Sequence, residues 1–531
     1  MKSPSQDTGT ITRSAGKVSI AVFLSRILGL VREQVFAGLF GAGFAYDAFV
    51  VGFRIPNLLR DLFAEGALSS AFVTVFSEYD QNRGKVSTWR LTNNILAFLG
   101  ILTGLITLAG TFFSQSLVLS LAPDFAGVSG KVALTQKLTI IMFPFLTFIS
   151  LAAVVMGILN SKGHFFIPSL ASSFFNLGSI IGGVFLSLVV PYIGQPPIVG
   201  MAIGTLIGGL CQLVVQIPSL SKTGFIFRPC LDLRDKGLQR ILRLMVPAVI
   251  GLSATQFNIF INTNFAASCI EGSVSWLNYA FRLVQFPIGL FGVAISIATL
   301  PIVARYAAAR DIDRLKETYA SSLILGCCLN IPATVGLFVL AEPIIRIIFQ
   351  HGAFTAHDTL MTAQALSFYS LGLFAYSSVK IIVPVFYALN DAKYPVIGSF
   401  LAVGANVVII LLTIDHLQHR SIALSTSCAM TMNFLFLSIV LYRKVSGYAI
   451  SYLLLGLGKI TLASLIMGGW LVYLNRSLAE WFSPTLIHDV MGLIIAIGSA
   501  VILYGGILYL LHLNELTMLI TKCMARIRRG Q

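Results

Sequence analysis

Ten ionisable side chains stand where a lipid-soluble sequence should have none: Arg26, Arg32, Glu33, Asp47, Arg54, Arg60, Asp61, Glu65, Arg282 and Lys380. All fall in or beside long apolar runs. An Arg, Lys or Asp at the centre of a membrane helix costs roughly 2.5–3.5 kcal/mol on insertion scales, so such groups must pair, line water or bind something charged. Arg26 and Glu33 are seven residues apart and share a helix face, as do Arg54 and Asp61. Arg26 and Arg32 are six apart, about 120° around a helix and about 9 Å along it, as are Arg54 and Arg60. Two arginines so spaced cannot point the same way on a straight helix but can both border one broad cavity, more so if the helix bends, and Pro56 lies inside the second pair.

Two readings of these charges stay open. Each Arg pairs with a nearby acid and locks helices together, the simpler account for Arg54. Alternatively, the surplus of cations over acids leaves Arg26, Arg32, Arg60 and Arg282 for an anionic ligand, and the guanidinium fork suits phosphate oxygens. Lys380 serves as a further cation or snorkels to an interface. Gln256, Asn258, Asn262 and Asn264 line a cavity or bond neighbouring helices. Asp415, His416 and His419 form D-H-x-x-H, read as a solvated loop in preference to a metal site. There is no G-x-x-x-x-G-K-[ST], no C-x-x-C and no nucleophile–base constellation, so catalytic residues, metal and cofactor are none on this reading. Energy must then come from the membrane potential, an ion gradient or downstream consumption.

The elements that position these groups are membrane helices. Of 531 residues, 56% are hydrophobic and 11% charged, an apolarity that a soluble domain could not cover. Fourteen spans are expected, near 18–40, 45–79, 91–121, 133–159, 167–190, 197–219, 240–268, 274–304, 317–342, 359–389, 395–414, 421–441, 455–474 and 487–511. The net charge of +15 sits between the apolar runs, which points to topology and not to nucleic acid. With the N-terminus in the cytoplasm, only Lys131, Lys137, Arg346, Arg420 and Arg476 among the loop cations fall outside, so both termini are expected inside. The seven cysteines read as small buried hydrophobes.

The chain also repeats weakly. Phe53-Arg54 and Leu62-Phe63 match Phe281-Arg282 and Leu290-Phe291, Leu159-Asn160 matches Leu389-Asn390, and Tyr79 matches Tyr306, all at separations of 227 to 230 residues. Spans 1–6 then correspond to spans 7–12 in the same orientation, a parallel repeat. The expected fold is all-α and polytopic: lobes at residues 1–221 and 222–445, and a C-terminal helix pair with a basic tail at 446–531.

S-R-I-L-G-L-V-R-E (Ser25–Glu33), F-G-A-G (Phe40–Gly43), D-A-F-V-V-G-F-R-I-P-N-L-L-R-D-L-F-A-E-G-A (Asp47–Ala67), G-S-V-S-W-L-N-Y-A-F-R-L (Gly272–Leu283) and F-P-I-G-L-F-G-V-A (Phe286–Ala294) resemble the MurJ/MviN family. The resemblance covers nearly the whole chain. It implies a flippase of the multidrug/oligosaccharidyl-lipid/polysaccharide exporter superfamily in the bacterial inner membrane, with two six-helix lobes around a cationic cavity. The implied substrate is lipid II, the undecaprenyl-diphosphate-linked peptidoglycan precursor, and the last two helices would receive its tail. By the same resemblance Arg32, Arg60 and Arg282 face the diphosphate, Arg26 and Asp47 match further functional positions, and Glu65 sits in the A-E-G turn. Implied partners are the lipid-linked precursor, membrane lipids and the cell-wall synthesis machinery. Phe281 and Gln285 stand where some relatives carry acids, and no acid precedes Glu271 on the seventh span, where some relatives hold sodium. The alternative within this fold is an exporter of another polyprenyl-linked glycan or of drugs. A membrane enzyme would rest on Asp61 and Glu65 alone.

Overall fold

Apolar runs this long leave the backbone no partner but itself, and the chain answers with helices throughout. The computed structural model describes residues 4–61, 67–481 and 486–513, and among them no strand occurs. Among the described residues ten helices are long and apolar enough to cross a membrane, or twelve if each of two bent pairs counts as one span. The bends follow local chemistry. Lys236–Pro247 and Val249–Ser268 meet at 48° beside Pro247, and Ala356–Ser370 and Leu373–Ala388 meet at 42° across Leu371-Gly372. The count of fourteen is not reached by this measure, for a physical reason. The described parts of the first two expected spans are helical, but Pro4–Phe40 carries Arg26, Arg32 and Glu33 in its apolar stretch, and of the second span Phe44–Arg60 has 17 residues and carries Asp47, Arg54 and Arg60, while Ala67–Asn82 has 16.

The chain divides into two compact units, residues up to Ser275 and residues from Trp276 onward. In the first unit, Leu68, Phe72, Phe76, Leu91, Ile95, Val154, Ile158, Leu238 and Ile241 form one buried core. The helix Lys236–Ser268 therefore packs with the first unit, beyond the position 221 at which the repeat suggests a boundary. The helices Phe166–Val189 and Pro197–Val214 run together along a seam of small residues. A Cβ on Gly204 would lie 2.3 Å from the Gly183 nitrogen, and one on Gly200 would lie 2.3 Å from the Ser187 nitrogen. Glycine at every fourth position is what lets two backbones approach so closely.

In the second unit, Tyr319, Ile324, Ile382, Phe386, Leu437, Ile460 and Leu508 share a core. The last two helices, Ile450–Trp481 and Leu486–Leu510, are part of that core. Tyr504 donates its hydroxyl to the Cys328 carbonyl at 2.7 Å, which fixes the final helix to Ile312–Val339. The motif at Phe286–Ala294 folds as a π-helical turn, Ile288–Val293, directly after Pro287. A proline has no N–H to offer the preceding turn, and the wider turn absorbs the mismatch.

Candidate functional site

Within the first unit, the charged residues assemble in two places. At one end of the unit Asp47, near the start of Phe44–Arg60, is 2% exposed. A buried carboxylate needs compensation for lost hydration, and Asp47 has four partners. Its Oδ2 accepts from Lys131 Nζ at 3.1 Å and the Gly272 N–H at 2.9 Å. Its Oδ1 accepts from the Ser275 N–H at 3.0 Å and the Ser275 hydroxyl at 2.5 Å. The two N–H groups belong to the turn that starts the helix Ser273–Pro287, so Asp47 occupies that helix's positive end.

Lys131, expected as an external loop cation, is 2% exposed and opens the helix Lys131–Met142. Burial is possible because Asp47 supplies the counter-charge and the ammonium lies 4.3 Å from the Phe125 ring centroid. Sequence patterning missed this pair, because Lys131 follows a glycine-bounded polar stretch and its partner lies on another helix. The turn before Asp47 is fixed from the same side: the Phe44 N–H donates to Glu271 Oε1 at 3.1 Å. A cavity of about 170 Å³ adjoins, with Asp124, Phe125, Lys131, Cys269 and Glu271 in its wall. Burial, with Asp124 adding to it, pushes the Cys269 thiol up to about 12.

The second place is the arginine set. Arg32 is almost wholly buried and gives Nη2 to Glu33 Oε1 at 2.7 Å, while Glu33 Oε2 accepts from the Tyr46 hydroxyl at 2.9 Å. The Arg32 guanidinium also faces the Phe175 ring at 5.2 Å, and its buried Nε has no hydrogen-bond partner. Arg60 closes Phe44–Arg60 and grips Asp61 Oδ1 with Nε at 3.1 Å and Nη2 at 2.8 Å. Gln256 reaches the other Asp61 oxygen at 3.4 Å. So Arg32 and Arg60, expected to stand over without acids, each hold the carboxylate of the next residue. Around these pairs the described residues hold three arginines, Arg32, Arg54 and Arg60, beside the two acids Glu33 and Asp61. Arg26 is exposed and Arg54 half-buried, and Glu65 lies outside the described residues. Asn264 on the bent helix bonds the Leu121 carbonyl at 3.3 Å, so the amides there serve at least in part to join neighbours.

In the second unit, Arg282 is half-buried on Ser273–Pro287 and Lys380 is exposed on Leu373–Ala388. Above Arg282 on its helix, Trp276 is 2% exposed and donates its indole N–H to Asp358 Oδ1 at 2.9 Å. The second Asp358 oxygen completes a capping box with Thr355. His419, expected in a solvated loop, is instead buried against the Trp276 ring, 5.2 Å between centroids, with Nε2 3.1 Å from the Met361 carbonyl. Asp415 and His416 are exposed, and among the described residues no three His, Cys, Asp or Glu side chains converge as a metal site.

The family model described as "Lipid II flippase MurJ" matches residues 36–491. A probable lipid II flippase MurJ from Buchnera aphidicola subsp. Acyrthosiphon pisum is 37% identical over 94% of this chain and 96% of its own length. One from Vibrio cholerae is 34% identical over 93% and 95%, respectively. A solved structure titled lipid II flippase MurJ, inward closed conformation, superposes with a TM-score of 0.77 at 30% identity, covering 93% of this chain and 98% of that one. An inward-facing multidrug resistance MATE family transporter superposes with a TM-score of 0.64 at 14% identity, over 82% of this chain and 98% of its own, a likeness of fold alone.

Proposed function

The chain belongs to the MurJ family of lipid II flippases, and on that premise we propose that it carries lipid II from the cytoplasmic to the outer leaflet of the bacterial inner membrane by alternating access, for cell-wall synthesis. The observation that carries the reading is the set of guanidinium groups, Arg32, Arg54 and Arg60, buried or half-buried on the first two helices of an apolar helical body. A diphosphate cannot cross hydrocarbon bare, because its charge would go unsolvated. Guanidinium groups give it directed hydrogen bonds in place of water.

Arg32, Arg60 and Arg282 are the proposed diphosphate ligands, with Arg26 contributing at the periphery. The adjacent acids Glu33 and Asp61 are then resting counter-ions, exchanged for phosphate oxygens when the substrate arrives. The single unpartnered Nε of Arg32 supports this, since it is a buried donor still to be used. Asp47 is a gating residue: on the topology of the loop cations its end of the first unit faces outward, where it ties Phe44–Arg60 to the turn at Gly272–Ser275. Arg54, Lys380 and Glu65 support or gate. Both termini lie in the cytoplasm, membrane potential or an ion gradient supplies the energy, and the enzymes that make and consume the precursor are the natural partners.

An exporter of organic cations would instead attract its cargo with acids, whereas here Glu33 and Asp61 are each held by an arginine. The test is depletion of the protein in its native host, followed by assay of the lipid-linked precursor on the cytoplasmic leaflet. Accumulation of lipid II there is expected; accumulation of a different polyprenyl-linked glycan would reassign the substrate.

A further inference from the structure

We propose that residues 223–235, which join the helix Ile217–Lys222 to the helix Lys236–Ser268, form an interfacial strap that seats on a membrane surface bearing acidic headgroups. The inference is independent of the transported substrate. Most of the strap has no regular secondary structure, yet it is pinned along the helix Gly84–Phe112. Asn93 donates to the Ile226 carbonyl at 3.2 Å and accepts from the Arg228 N–H at 2.8 Å. Asn94 donates to the Asp232 carbonyl at 2.8 Å and accepts from the Asp232 N–H at 2.8 Å. Each amide thus does for the strap what a neighbouring strand would do, satisfying backbone groups that would otherwise need water. Phe225 adds an anchor, its ring 5.4 Å from that of Trp89, and Pro229 stiffens the middle.

What this pinning leaves facing outward is unusual for a loop. Ile226 is 64% exposed, Phe227 57%, Leu231 50% and Leu233 59%. Of its four charged groups the two arginines, Arg228 and Arg234, are exposed, and the two aspartates are half-buried. The strap's two acids are engaged, Asp232 with Arg90 at 3.8 Å and Asp235 as the N-cap of the next helix. Both ends of the strap lead into membrane helices, so it cannot leave the membrane boundary. Large apolar side chains held at that boundary beside arginines match acyl carbon below and acidic headgroups above.

The test uses the full chain reconstituted in vesicles, with Phe227→Trp as reporter and the unmodified chain subtracted. The vesicles are phosphatidylcholine alone or phosphatidylcholine with phosphatidylglycerol, each with acyl chains brominated near the carbonyl. The expected result is loss of most of the added fluorescence in the acidic vesicles, less loss in phosphatidylcholine alone, and abolition of that difference by R228E/R234E. Three results would overturn the proposal: no quenching in acidic vesicles, quenching that ignores both headgroup and charge reversal, or a spectral change that appears only when a soluble protein is added. The headgroup comparison on the single Phe227→Trp variant stands even if the charge-reversed protein does not fold.

Discussion

Ser275 is held by Asp47 through both its N–H and its hydroxyl, at 3.0 and 2.5 Å, across a separation of 228 residues. The same carboxylate carries the charge that balances Lys131. One acid therefore closes a helix turn and neutralises a buried cation at once, so the consequences of removing it can be separated.

Asp47→Asn keeps the shape of the side chain but strands the Lys131 ammonium, which is only 2% exposed, without its counter-charge. Breaking a buried pair from one side costs on the order of 3–5 kcal/mol. A clear fall in the melting temperature of the purified protein is expected, and the double variant Asp47→Asn, Lys131→Met should recover much of it. A double variant no more stable than Asp47→Asn alone would mean that the ion pair is not what the acid is for.

Cys269 lies in the wall of the cavity beside Asp124, and its thiol is pushed up to about 12. At pH 8 the thiol is then almost wholly protonated, and the thiolate is the reactive form. Maleimide labelling at this position should be slow at pH 8 and rise steeply only in strong alkali. Asp124→Asn removes one of the two causes and should speed it; an unchanged rate would count against Asp124.

Glu33 and Asp61 are proposed as exchangeable counter-ions. Asp61→Asn, at the partly exposed pair, should therefore leave transport close to wild type in a complementation assay while Arg60→Ala loses it; Glu33→Gln strands the buried Arg32 and should lower the melting temperature, yet spare more transport than Arg32→Ala does. Equal loss on both sides of each pair would make the pairs structural locks.

The seam at Gly204 and Gly183 leaves no room for a side chain. Gly204→Val should cost about 1–3 kcal/mol or more by forcing the two backbones apart. The expected signature is a lowered melting temperature and poor membrane yield, with no selective effect on substrate.

Much of this architecture was legible in the chain. Apolar runs marked the helices because lipid requires them, whereas the bend beside Pro247 and the π turn after Pro287 went unmarked, Pro56 being the proline singled out for a bend. The intramembrane charges were conspicuous, but their pairing was not: periodicity predicts which residues share a face, whereas Arg32 and Arg60 reach sideways to the adjacent acid. Lys131 and His419 read as loop residues because they lie at helix starts, where sequence cannot tell a solvated end from a buried one. The seam at Gly200, Gly204 and Gly208 was present as a four-residue repeat of glycine, a signal masked by the abundance of glycine elsewhere.

The most direct measurement is leaflet-to-leaflet movement of a fluorescent lipid II in vesicles containing the purified chain or one of Arg32→Ala, Arg60→Ala and Arg282→Ala. The wild type should move it, and each variant, inserted in equal amount, should fall to the rate of empty vesicles. Movement at the wild-type rate by all three variants would contradict a role for these arginines in carrying the diphosphate.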